Sequence, residues 1–135
     1  MILIGIDYGV RHIGVSVGDT VTGKARPLMG FAYKQAQWAV PLKEVILRWQ
    51  PERIVVGVPY NADGTSQAMT EKVLVFIKAL EREFSLPVSC VDERWTTVSA
   101  KAELYAENKV NRVDKASIDA ESAKLILEQW LTENA

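Results

Sequence analysis

The chain has one cysteine, Cys90, and one histidine, His12. A lone cysteine excludes an intramolecular disulfide, and the two residues together are too few for a zinc site built on sulfur and imidazole ligands. No apolar run approaches the roughly 20 residues that span a bilayer. The N-terminus carries neither a basic leader region nor a small-residue cleavage motif, so the expectation is a cytoplasmic protein without membrane contact. An excess of one charge is missing too: 16 Lys and Arg face 17 Asp and Glu, a net charge of −1. A surface so balanced does not attract nucleic acid by its overall field. A nucleic-acid partner must be held by a local basic patch or through a metal. Linkers, internal repeats and low-complexity segments are also absent. A length of 135 residues, 48% of them hydrophobic, suffices for one core, so the reading is a single domain over residues 1–135.

What is present begins with a strong strand signal. Ile2-Leu3-Ile4-Gly5-Ile6 is apolar on both faces, as a central strand must be, and it ends on a carboxylate, Asp7. After a short turn through Gly9, Ile13, Val15 and Val17 alternate with Gly14, Ser16 and Gly18. That is a period of two with one bulky face and one small face, and it predicts an antiparallel hairpin. A third strand is expected within 22–33, at a sheet edge, because Pro27 cannot donate to a ladder. Helical spacing of Leu42, Val45, Ile46 and Trp49 predicts a helix over 38–50. Arg53 to Pro59 reads as a buried strand, followed by a polar loop, Asn61-Ala62-Asp63-Gly64. A helix over 67–84 faces inward with Met69, Val73, Phe76, Ile77, Leu80 and Phe84. Pro87 to Val91 is a short strand that runs into Asp92-Glu93-Arg94. A helix capped by Thr96 or Thr97 through about Tyr105, a basic loop over 108–115 and a last helix over 116–131 complete the chain. Strands separated by helices imply a mixed sheet covered on both faces, an α/β domain. Ligands of such sheets gather at the C-terminal ends of the parallel strands.

Asp7 and Asp92-Glu93 both end parallel strands at that edge. Asp119 comes from the last helix. At 100° per residue, positions 119, 123, 126 and 130 point within about 20° to 40° of one direction. Asp119 therefore shares the stripe of Ala123, Ile126 and Trp130 that must face the core. A carboxylate there is costly unless paired or bound to a cation. Three acids without nearby His or Cys form a hard-oxygen site suited to Mg²⁺ or Mn²⁺. Such ions serve phosphodiester hydrolysis.

Four segments, GIDYGVRHIGVSVGD, IVVGVPYNADGTSQ, VDERWTT and IDAESAKLILEQWL, resemble the YqgF family, also called RuvX, from Ile4 to Leu131. Its members are small bacterial proteins of RNase H-like fold, described as Holliday junction resolvases and pre-16S rRNA nucleases. The resemblance implies a five-stranded sheet of order 3-2-1-4-5, with its first three strands antiparallel and the last two parallel to the first. It implies that Asp7, Glu93 and Asp119 match the acidic catalytic positions and hold Mg²⁺ or Mn²⁺. Asp92 and Arg94 complete the acidic triplet, and Asn61, Asp63 and Gly64 match the loop after the fourth strand. The substrate implied is pre-rRNA or other structured RNA, with branched DNA and a ribosome-associated role as alternatives.

Two departures stand out. Many related nucleases carry an acid near the end of the fourth strand, where this chain reads Val58-Pro59-Tyr60-Asn61. Glu93 must then reach over about two strand spacings, roughly 10 Å, towards Asp7. Glu121 adds a charge where the family has small neutral residues, and it is expected to face solvent.

Blander readings stand beside these. Arg94 is either a phosphate clamp or an ion-pair partner of Asp92 or Glu93. Asn61 is either a turn residue or a substrate contact. Lys109, Arg112 and Lys115 either grip phosphates or are solvated. His12 is expected in a turn, and Cys90 buried and inert. Trp38, Trp49 and Trp130 are expected to anchor the core, and Trp95 to pack rather than stack on a base. Two other functional classes remain: a binding module with a vestigial site, and a nucleotide-phosphate binder like one half of an actin-like ATPase. The second has no G-x-x-x-x-G-K-[S/T] loop.

Overall fold

A computed structural model describes residues 1–35, 37–93 and 114–135. Its elements are β1 (Ile2–Tyr8), β2 (His12–Asp19), β3 (Lys24–Ala32), α1 (Ala39–Trp49), β4 (Arg53–Val58), α2 (Ala68–Phe84), β5 (Val88–Asp92) and α3 (Lys115–Glu133). The sheet order is β3-β2-β1-β4-β5. β1, β2 and β3 pair antiparallel, while β4 runs parallel to β1 and β5 parallel to β4. This is the expected order.

Strand alternation divides the sheet into two unlike faces. Ile4, Ile6, Ile13, Val15, Ile54 and Val56 point to one side and pack under α1 and α2 through Leu42, Val45, Val73, Phe76, Ile77 and Leu80. Each such side chain contributes about 1.5–3 kcal/mol by leaving water, before chain entropy is counted. The other side carries Leu3, Val55 and Val91 against Ile126, Leu127 and Leu131 of α3. Here the small face of β2 explains the packing. Ser16 is fully buried and its Oγ donates to the Ala123 carbonyl at 2.8 Å, tying helix to sheet.

β3 is an edge strand, as Pro27 requires, and the ladder to β2 shifts register between Val15 and Ser16, next to the Pro27 pairing. α1 ends at Gln50 in the left-handed region, φ 48°, and Pro51 follows. α2 starts at a reciprocal cap between Gln67 and Thr70, and the Thr70 hydroxyl also donates to the Pro59 carbonyl. That bond ties α2 to the end of β4.

Several expectations need correction. Cys90 is exposed, not buried, and β5 is the last strand of the sheet among the described residues. Partial burial, then the Glu81 carboxylate, pushes its thiol above the ordinary cysteine value, which favours the protonated form. Lys115 lies outside any loop, as the first residue of α3. Glu121 is only half-exposed and pairs with Lys124 at 3.3 Å. Trp38, Trp49 and Trp130 are half-buried, closing the margins of the core rather than filling it. The helix expected to follow Thr96 or Thr97, Trp95 and the basic loop before Asp114 lie outside the described residues.

Candidate active site

Alternation along β1 puts Leu3, Gly5 and Asp7 on the face covered by α3. Asp7 pairs directly with Gly14 of β2. A Cβ on Gly14 would overlap the backbone carbonyl of Asp119. The missing side chain thus lets α3 settle onto β2 with Asp119 beside Asp7. Both carboxylates are buried, each 5% exposed. They share a cleft of about 220 Å³ with Gly9, Val10, Arg11, His12 and Lys115.

The two oxygens of Asp119 differ. Oδ1 accepts from the Lys115 ammonium at 3.2 Å. Oδ2 is buried and has no hydrogen-bond partner among the described residues. A buried carboxylate oxygen left unpartnered costs on the order of 1–3 kcal/mol. The Lys115 side chain is 47% exposed, so its attraction is screened and offsets only part of that cost.

Glu93 is also buried. Its backbone N–H donates to the Val58 carbonyl at 3.1 Å, carrying the β4–β5 ladder one residue past β5. Gln129 of α3 donates from Nε2 to the Asp92 carbonyl at 3.0 Å and clamps the same turn. The Glu93 side chain then runs back over β4. Its Cδ and Oε2 lie 2.6 and 2.8 Å from where a Gly57 Cβ would stand. Ile6 pairs with Val56, and Asp7 and Gly57 each follow that pair. The span from β5 is thereby cut to about one strand spacing, roughly 4.8 Å. In the order β2-β1-β4, Gly14 under Asp119, Asp7, and Gly57 under Glu93 form one row.

The hairpin tip beside the row is braced. The Tyr33 hydroxyl donates to the Gly9 carbonyl at 2.7 Å, and the Tyr33 N–H to the Arg11 carbonyl at 3.0 Å. Burial, then its hydrogen bond with Tyr8, pushes the Tyr33 phenol up, so it remains a donor across the neutral range. Tyr8 stacks on Phe76 with ring centroids 4.3 Å apart, and Trp38 meets Phe76 edge-on at 5.1 Å.

Among the described residues, no three His, Cys, Asp or Glu side chains stand close enough to hold one metal ion. The donor set is nevertheless all hard oxygen, and the orphaned Asp119 Oδ2 suits a divalent cation such as Mg²⁺ or Mn²⁺. Elsewhere at this edge, the exposed loop after β4 holds itself. Asn61 Nδ2 donates to Thr65 Oγ1 and the Ser66 carbonyl at 3.0 and 3.2 Å. Asp63 Oδ1 accepts from the Thr65 N–H at 3.0 Å. Of the sequence-predicted contacts, Arg94, Lys109 and Arg112 lie outside the described residues. Sequence reasoning missed the roles of Gly14 and Gly57, and it missed Arg11 and His12 as lining. The available signal was a glycine inside a strand, which marks a close approach.

Residues 1–133 match the family RuvX, described as Holliday junction resolvase. The chain belongs to the RuvX family. Among its relatives is a protein of Actinobacillus pleuropneumoniae serotype 7, 43% identical, with 95% of this chain and 94% of that one covered. A Proteus mirabilis protein is 40% identical, covering 95% and 93%. One from Glaesserella parasuis is 40% identical over 98% and 97%. All three are named "Putative pre-16S rRNA nuclease". Among solved structures, Thermus thermophilus RuvC in complex with a Holliday junction substrate matches with a TM-score of 0.58 at 21% identity, covering 99% and 96%. RuvC from the same organism also matches at 0.56 and 21%. That likeness establishes an RNase H-like fold for this RuvX member.

Proposed function

We propose that this protein is a divalent-metal-dependent nuclease in which Asp7 and Asp119 share one Mg²⁺ or Mn²⁺ ion, with Glu93 acting from the far end of the same row rather than as a third ligand of that ion. The observation that carries the reading is the pairing of two buried carboxylates, Asp7 and Asp119, in one cleft, one of them with an oxygen lacking a hydrogen-bond partner. When bound, such an ion supplies an activated water and neutralises charge developing on the phosphate. The protein's own part is positional. β1 and β2 fix Asp7, the Gly14 contact seats Asp119, and the Gly57 gap admits Glu93. Lys115 covers Asp119 Oδ1 with a half-exposed positive charge that a cation or a phosphate can displace.

The substrate we favour is precursor 16S rRNA, in keeping with the names of relatives that share about two-fifths of its residues over nearly their full lengths. The description of the family favours a second reading, cleavage of a branched DNA junction. The deciding experiment compares a pre-16S rRNA fragment with a four-way DNA junction, in Mn²⁺ and in EDTA, with Asp7→Asn as control. We expect Mn²⁺-dependent RNA cleavage that Asp7→Asn abolishes. Cleavage indifferent to EDTA and to Asp7→Asn would overturn the metal site. Cutting confined to the junction would replace the RNA reading with the DNA one.

A further inference from the structure

The acid cleft opens into a second groove of about 760 Å³ that Arg11, His12, Lys34, Gln35 and Gln37 help to line. Val10, Arg11 and His12 line both, so the two are continuous. Among the described residues, no acid lines this groove. Arg11 and Lys34 are exposed, and neither side chain makes an ion pair or hydrogen bond among the described residues. Their backbones, by contrast, are held. The Arg11 carbonyl accepts from the Tyr33 N–H at 3.0 Å, and the Lys34 carbonyl from the Gln37 N–H at 3.1 Å. One of these cations, Arg11, also lines the acid cleft, and the other, Lys34, lines the groove beyond it.

We infer that this groove is a track for one strand of a nucleic-acid substrate, with Arg11 and Lys34 gripping its phosphodiester backbone. The inference rests on the nuclease reading of the adjoining cleft. A chain of net charge −1 has no general attraction for a polyanion. A strand brought up to buried carboxylates needs cations close beside them. Here Arg11 lines the cleft of those carboxylates and Lys34 lines the groove that opens from it, and the polar groups beside them, His12, Gln35 and Gln37, add no negative charge. Phosphate contacts of this kind position a strand without reading its sequence.

The test is fluorescence anisotropy of a labelled single-stranded RNA against the full chain in EDTA, titrated with salt. Arg11→Gln and Lys34→Gln should each weaken binding and flatten the slope of log K against log salt by about 0.7, the value for one lost phosphate contact on a single strand. Lys78→Gln, on the far helix α2, should leave the slope unchanged. Circular dichroism checks that the variants fold. Slopes unchanged in both groove variants, or no RNA binding by the wild type, would overturn the track. Displacement of the RNA by polyglutamate as readily as by unlabelled RNA would also overturn it, in favour of an acidic peptide. If the groove variants lose slope but the wild type cleaves nothing in Mn²⁺, the track stands and the nuclease reading falls. If the wild type cleaves and the slopes do not move, the reverse holds.

Discussion

The carboxyl group of Glu93 occupies the space that a side chain at Gly57 would fill, with Cδ 2.6 Å from the position of the missing Cβ. Glu93, one residue past β5, lays its carboxyl over β4 because that strand is bare at Gly57. The arrangement also accounts for a fourth strand that ends without an acid of its own. The strand leaves room for one from next door.

Gly57→Ala is therefore the sharpest test of the Glu93 position. The new methyl meets both Glu93 and Ile126 Cδ1 at 2.6 Å. Overpacking of this kind costs about 1–3 kcal/mol of stability, readable in a urea melt. We expect Mn²⁺-dependent cleavage to fall by roughly tenfold or more, about 1.4 kcal/mol of barrier, because Glu93 is expelled from the row. Undiminished cleavage by the folded variant would exclude Glu93 from the reaction.

Gly14→Ala strikes a different neighbour. Its methyl would overlap the backbone carbonyl of Asp119, and a helix backbone cannot turn aside as a side chain can. The expected result is a loss of about 3 kcal/mol, with the melting temperature falling by roughly 4 °C for each kcal/mol. A melting curve matching the wild type would show that α3 does not depend on that gap.

Lys115→Gln removes the ammonium 3.2 Å from Asp119 Oδ1. Since the Lys115 ammonium is half-exposed although Asp119 is buried, and the glutamine amide can still donate to Oδ1, thermal stability should change by less than about 1 kcal/mol. The informative quantity is metal affinity. The ammonium competes with a cation for Asp119, so the Mn²⁺ concentration for half-maximal cleavage should drop several-fold. A rise in that concentration would instead assign Lys115 to holding the substrate.

Asp114 caps α3 by accepting from the Ser117 N–H at 2.8 Å, and this backbone bond, the largest influence, lowers its carboxyl below the ordinary aspartate value. A depressed folded value means that the charged cap stabilises the fold above the unfolded value and is lost as pH falls through the folded one. Melting temperatures taken from pH 6 down to pH 2 should fall more steeply in the wild type than in Asp114→Asn, which keeps a neutral cap. Parallel curves would remove the cap from the acid response.

Much of this molecule follows from local pattern. The continuous apolar run of Ile2–Ile6, the two-faced alternation of β2, Pro27 on an edge and the helical stripe through Asp119 are properties of neighbouring residues, and they hold wherever those residues sit. They yield the strands, the helices and the burial of Asp119, whereas the strand order is implied by the family resemblance. What depends on separate strands coming side by side escaped such reading. Cys90 is exposed on a strand with no outer neighbour among the described residues, and Lys115 joins the acid cleft because α3 begins one turn before Asp119. Glu93 reaches towards Asp7 because Gly57 happens to lie beneath it. Each of these is a contact between distant positions, set by strand register and helix docking, and no spacing along the chain encodes it.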